Sequence, residues 1–181
     1  MAVDITFFAH GTTADNEDHK SSGWFDVELS ELGEKQSVEL REQTKSKKFD
    51  VVFSSDLKRA EESAKLTWGD IYTIIPDKRL RECNYGKYNG QLSEIVEPMQ
   101  EKMVTERFPE GESYEDVKVR VADFLEFLKK NYDSKPVAIV SHKAPQLALE
   151  VLLKGKTWEQ AFAEDWRKTH SWQPGWEYIL E

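Results

Sequence analysis

The feature that most constrains this chain is a succession of short runs rich in β-branched and aromatic residues, separated by longer stretches with helical spacing. The runs are Val3-Asp-Ile-Thr-Phe-Phe8, Phe49-Asp-Val-Val-Phe53, Ile71-Tyr-Thr-Ile-Ile75, Pro136-Val-Ala-Ile-Val140 and Trp176-Glu-Tyr-Ile-Leu180. Such residues pack well on a pleated sheet, and strands covered on both faces need no polar alternation. The intervals carry helix signals. Ser30 is an N-cap candidate ahead of Leu32, Gln36, Val38, Leu40 and Thr44, which predicts a helix to about Ser46. Ser54-Ser55-Asp56 stands as a cap before Arg59, Ala60, Ala64 and Leu66. Ser113-Tyr-Glu-Asp116 resembles a capping box before Val117, Val121, Phe124, Leu125 and Leu128, and Pro145 suits the first turn of a helix through Leu153.

Strands alternating with helices predict an α/β fold, a three-layer sandwich whose mostly parallel sheet has helices on both faces. At 181 residues and 39% apolar, the chain suits one domain spanning 1–181. Pro76 is expected to stop the third strand. Residues 81–111 are irregular at both ends, with a helix expected near 93–107, which suggests a small cap segment over about 84–110. A helix near 157–167 and the last strand form the tail, whose Trp158, Trp166, Trp172 and Trp176 are expected to pack the sheet edge.

Ligands bind outside the carboxyl ends of parallel strands, and the first run ends there in Ala9-His10-Gly11. Alone, that is an ordinary loop histidine beside a turn glycine. Its weight comes from company: Ser141-His142 ends another run, Arg59 follows a third in the first turn of a helix, and Glu82 opens the irregular segment. Two histidines, an arginine and a carboxyl group are a set that phosphoryl transfer can use. Taken singly, Arg59 equally suits an ion pair with Glu62, and Glu82 a surface acid. Residues 9–29, carrying Asn16, Ser22, Gly23, Trp24 and Asp26, make a loop too long for a plain connector.

Lys and Arg number 25 against 34 Asp and Glu, a net charge of −9 with no basic cluster. That speaks against nucleic acid and anionic membrane as partners, and an anionic substrate then needs a local positive pocket. The lone Cys83 excludes an internal disulfide, the N-terminus lacks a basic and then apolar leader, and no apolar run nears membrane-spanning length. A cytoplasmic protein is the expectation. Gly155-Lys156-Thr157 lacks the earlier glycine of a phosphate loop, since Glu150 stands there, and Cys83 lacks the spaced arginine of a cysteine phosphatase. Asp15 and Glu17 suit a solvated loop better than a metal site, and neither metal nor cofactor is expected.

In chain order these motifs resemble those of the histidine phosphatase, or phosphoglycerate mutase-like, superfamily. His10-Gly11 with Thr13 and Asn16 is similar to its first motif, Ser22-Gly-Trp-Phe-Asp-Val-Glu-Leu-Ser30 to its substrate loop, and Ser54-Ser-Asp-Leu-Lys-Arg-Ala60 to the segment with its phosphate arginine. Leu80-Arg-Glu82 with Gly86 resembles its general-acid segment, Gly111-Glu-Ser113 its late loop, and Val140-Ser-His142 its second histidine. The resemblance implies a cofactor-independent phosphomonoesterase acting on a small phosphorylated metabolite, with His10 as nucleophile, Glu82 as acid and base, and His142 as a catalytic donor. It implies phosphate or substrate contacts for Gly11, Asn16, Ser22, Gly23 and Arg59. A mutase and a disabled, phosphate-binding relative are the alternatives; Cys83 replaces an arginine of the mutases, and the 84–110 segment is shorter than theirs. Two further departures flank the histidines. Ala9 stands where the family carries arginine, which implies weakened activity, and Lys143 stands where it carries glycine. Lys143 is therefore a candidate compensating cation, the alternative being a side chain pointing to solvent.

Overall fold

The computed structural model describes residues 2–181. The chain runs β1 (Val3–Ala9), α1 (Ala14–Glu17), β2 (Lys20–Ser21), α2 (Glu31–Gln43), β3 (Val51–Ser54), α3 (Lys58–Trp68), β4 (Ile74–Pro76), β5 (Gln91–Leu92), α4 (Ser93–Val96), α5 (Tyr114–Asn131), β6 (Pro136–Ser141), α6 (Lys143–Lys154), α7 (Trp158–Ala163), α8 (Trp166–Thr169) and β7 (Trp176–Leu180). The main sheet has the order β4-β3-β6-β1-β7, and β2 pairs with β5 in a separate small ribbon. All pairings within the main sheet are parallel except β1 with β7. The long helical crossovers require that arrangement, because parallel neighbours cannot be joined by a tight hairpin.

Side-chain alternation sorts the interior into two cores, one on each face of the sheet. Val3, Ile5, Phe7, Val51, Phe53, Val137 and Ile139 pack with α5, α6 and α7 through Val117, Phe124, Leu128, Leu147 and Phe162. Phe8, Val52, Ala138 and Val140 point the other way, onto Leu40 of α2 and Ala60, Ala64 and Trp68 of α3. Each large side chain so buried contributes roughly 1.5–3 kcal/mol of transfer free energy. The three-layer α/β sandwich expected from the sequence is the observed fold. Ser30 caps α2 by accepting from the Gly33 amide, and Ser113 with Asp116 forms the capping box of α5.

Several local expectations are corrected. Residues 71–73 are not strand, because the Ile71 and Tyr72 amides close back on the Trp68 carbonyl. The strand is instead Ile74–Pro76, and proline is tolerated there because β4 lies at the sheet edge. The helix expected near 93–107 is broken into α4 and 3-10 turns at Glu97–Met99 and Lys102–Val104. Pro98 lacks the amide that a continuous helix would use. Ser54-Ser55-Asp56 does not cap α3: Leu57 holds that position without a side-chain bond, while Asp56 pairs with Arg81 at 2.7 Å. The helix expected near 157–167 is split into α7 and α8 by Asp165, which caps the second piece. Among the described residues no helix is long and apolar enough to cross a membrane.

Candidate active site

The register of the sheet sets the two histidines side by side. Ala9 of β1 pairs with Ser141 of β6, so the residues that follow, His10 and His142, leave adjacent strands at the same edge. Their rings lie 4.9 Å apart between centroids, inclined at 63°. β3 ends beside them, with Ser54 opposite Val140, and the next helix brings Arg59 over the same edge. Glu82 is delivered by the turn after β4, where the Ser141 hydroxyl donates to the Leu80 carbonyl at 2.5 Å. The Glu82 carbonyl is held by Arg120 at 2.9 Å and by the Trp24 indole at 2.8 Å.

Hydrogen bonds fix what each group offers. His10 Nδ1 lies 2.6 Å from the Gly11 carbonyl oxygen, which only accepts; Nδ1 therefore carries the proton and Nε2 keeps a lone pair. Burial first, and then the Arg59 guanidinium with a smaller push from Arg167, lowers the His10 pKa to about 3 against the raising effect of the Gly11 carbonyl. His142 is 1% exposed, and neither of its ring nitrogens meets a partner among the described residues. Burial, followed by Arg59 and His10, pushes its pKa well below the usual histidine value. Both imidazoles are thus neutral near pH 7. Arg59, 3% exposed, does not pair with Glu62; it donates to the carbonyls of Gly23 at 2.8 Å and Phe25 at 2.9 Å. Glu82, 7% exposed, accepts from the amides of Cys83 at 2.8 Å and Ala144 at 3.1 Å. Both bonds fall on Oε1, which leaves Oε2 available.

The glycines are backbone requirements. A Cβ on Gly11 would stand 2.4 Å from the Gly33 carbonyl oxygen, and Gly23, at φ +56°, would meet Asn89 at 1.9 Å. Asn16 closes a capping box with Thr13 and so is fixed beside the pocket, while Ser22 donates to Asp15 at 2.8 Å. His10, Asn16, Ser22, Gly23, Arg59, Glu82 and Lys143 all line one small polar pocket. Gly11 lines the adjoining cleft of about 990 Å³, which shares His10 and Asn16 with that pocket. Lys143 does not point to solvent. Its Nζ is buried, 3.3 Å from Asp165 and 3.8 Å from Glu97.

The pocket also holds residues that the sequence did not single out: Lys20, Ser21, Tyr85, Glu97 and Arg167. Nothing in the local sequence marks them, because each enters from an element whose docking is tertiary. Of the four tail tryptophans expected at the sheet edge, Trp176 lies in the edge strand β7 with the Trp166 ring 5.9 Å from its own, whereas Trp158 packs on Tyr114 and Phe162, and Trp166 and the half-exposed Trp172 line the cleft. Among the described residues no cluster of His, Cys, Asp or Glu could hold a metal ion.

A neutral imidazole with a fixed lone pair, a second imidazole and a guanidinium define a site suited to in-line phosphoryl transfer. Comparison with known proteins agrees. A family model for the histidine phosphatase superfamily, branch 1, matches residues 5–174. The chain is 31% identical over 162 residues to phosphoserine phosphatase 1 of Hydrogenobacter thermophilus, covering 84% of this chain and 77% of that one. It is 30% identical over 157 residues to an uncharacterised phosphatase of Bacillus subtilis, covering 83% and 77% respectively. Its fold matches the mycobacterial glucosyl-3-phosphoglycerate phosphatase complexed with VO3 at a TM-score of 0.75 and 27% identity, covering 90% of this chain and 86% of that one. The chain belongs to the histidine phosphatase superfamily, branch 1, and is a phosphatase of that family.

Proposed function

We propose that the protein hydrolyses small phosphomonoesters through a phosphohistidine on His10. The observation that carries this reading is the 2.6 Å contact between His10 Nδ1 and the Gly11 carbonyl, which commits the proton to Nδ1 and the lone pair to Nε2. Nε2 attacks phosphorus as the ester P–O bond breaks, and Glu82 gives its proton to the departing alkoxide. Water then attacks the phosphohistidine, Glu82 takes a proton from it, and phosphate leaves a neutral His10. Arg59 and His142 donate to the transferring oxygens, while Gly11, Asn16, Ser22 and Gly23 shape the pocket that holds them. Residues 84–110 act as a cap, supplying Tyr85 and Glu97 to the pocket and Leu92 to the cleft. The single buried Cys83 goes with a cytoplasmic location. Ala9 offers no donor, so the negative charge must be met from elsewhere in the pocket.

The test is turnover of a panel of phosphomonoesters together with acid quenching of the enzyme during turnover. Phosphate release and an acid-labile phosphoenzyme are expected, and both are lost in His10→Ala. Glu82→Gln should slow alkyl phosphates far more than p-nitrophenyl phosphate, because only the alkoxide needs full protonation. Equal losses on the two substrates would remove Glu82 from its assigned role. Interconversion of 3- and 2-phosphoglycerate faster than phosphate release would favour the mutase reading. Phosphate binding without any turnover would favour a disabled phosphatase.

A further inference from the structure

Arg59 is the obvious cation for a bound phosphate, and its guanidinium is held in place by one bond each from NH1 and NH2 to the carbonyls of Phe25 and Gly23, which leaves its other N–H groups free. The other buried cation beside the histidines, Lys143, is held by Asp165 and Glu97. With no cation at position 9 and Lys143 neutralised by carboxylates, a dianionic group entering this pocket needs a second cation beside Arg59. Arg167 lines both the small pocket and the cleft, together with His10. Among the described residues no carboxylate lies within ion-pair distance of its guanidinium, which rests 5.2 Å from the centre of the Trp166 ring. It is close enough to the site to lower the pKa values of His10 and His142.

We propose that Arg167 is a phosphate-binding residue of this site, supplying from the C-terminal segment the cation that position 9 lacks, and that Lys143 and Asp165 position it. The Asp165 carboxylate joins the two. Its Oδ1 accepts from the Arg167 amide at 3.0 Å and caps α8, while its Oδ2 lies 3.3 Å from Lys143 Nζ at the start of α6. One buried carboxylate thus ties the turn carrying Arg167 to the residue following His142. Lys143 acts through Asp165 rather than on the phosphate. An arginine reaching in from a solvent-exposed turn can give the planar, two-pronged contact to phosphate oxygens that a lysine point charge cannot.

The inference rests on the phosphatase reading, but its first test does not require turnover. Calorimetric titration with inorganic phosphate and with orthovanadate is compared for the native chain and for Arg167→Ala, an exposed position whose truncation leaves the fold intact. Affinity for both anions is expected to fall about tenfold or more, with a similar loss in kcat/KM for p-nitrophenyl phosphate. Ala9→Arg should restore most of this loss in Arg167→Ala while adding little to the native chain, a non-additivity expected only if both arginines serve one anion. For the positioning pair, Lys143→Arg should keep anion affinity, whereas the doubly apolar Lys143→Met with Asp165→Leu should lose as much as Arg167→Ala and nothing further when combined with it. Affinity and kcat/KM within twofold of native in Arg167→Ala would overturn the proposal even if the enzyme is active. Arg167-dependent anion binding without hydrolysis would sink the catalytic reading and leave this inference standing.

Discussion

In its proposed role as nucleophile His10 serves only while neutral, and the burial that keeps it neutral also makes its protonation costly. Its folded pKa is held to about 3 and that of His142 is lowered as well, against an ordinary value of 6.5. Between those limits the unfolded chain binds more protons than the folded one, so stability rises with pH through this window. The contribution is complete above pH 6.5 and drains away as pH falls toward 3. The melting temperature should therefore drop as pH is lowered from 7 to 4. Replacing either imidazole, in His10→Gln or His142→Gln, should flatten that dependence; an unchanged slope in both variants would show that these histidines are not the groups being titrated.

Among the elements, the loop between β1 and α1 is held by backbone packed against backbone. Gly11 and Gly33 approach so closely that a Cβ on either would collide with a main-chain carbonyl, at 2.4 Å and 2.0 Å respectively. The Gly11 amide donates to the Ser63 hydroxyl of α3, and its carbonyl is the one that fixes the His10 tautomer. Gly11→Ala should therefore cost about 1–3 kcal/mol in stability through overpacking. It should also depress kcat at temperatures where the variant remains folded. A variant that melts early but turns over normally when folded would separate the loop from the chemistry. The caps of α2 and α5 were legible because their partners lie within three residues. The breaks at Pro98 and Asp165 were harder to place, since apolar spacing alone continues across both.

For the whole molecule, charge is expected to govern which esters reach the proposed site. The cleft is lined by Asp18, Glu39, Glu94 and Glu97 against the cations Lys20 and Arg167, in a chain whose net charge is −9. A leaving group carrying further negative charge meets repulsion there, while a neutral or cationic one does not. Phosphoethanolamine should therefore exceed 3-phosphoglycerate in kcat/KM, and the gap should narrow as salt screens the cleft. Equal rates at low ionic strength, or a gap indifferent to salt, would show that shape rather than charge sets the preference.

The sequence by itself determined the class of fold. β-branched runs such as Val137–Val140 and helical stripes such as Val117 to Leu128 encode strands and helices through interactions a few residues apart. It also marked His10, Arg59, Glu82 and His142, because strand ends and the helix turns after them are where an α/β sheet presents side chains. Tertiary structure alone decided which groups share a pocket. The Ala9–Ser141 register sets the two histidines together, and the tail folding back brings Arg167 beside them, 157 positions from His10 in the chain. It also turned Lys143 inward, to a carboxylate that no local pattern predicts. Short-range patterns record the conformation of a segment, whereas a pocket depends on how distant segments dock, and that is settled by burial and ion pairing across the whole chain.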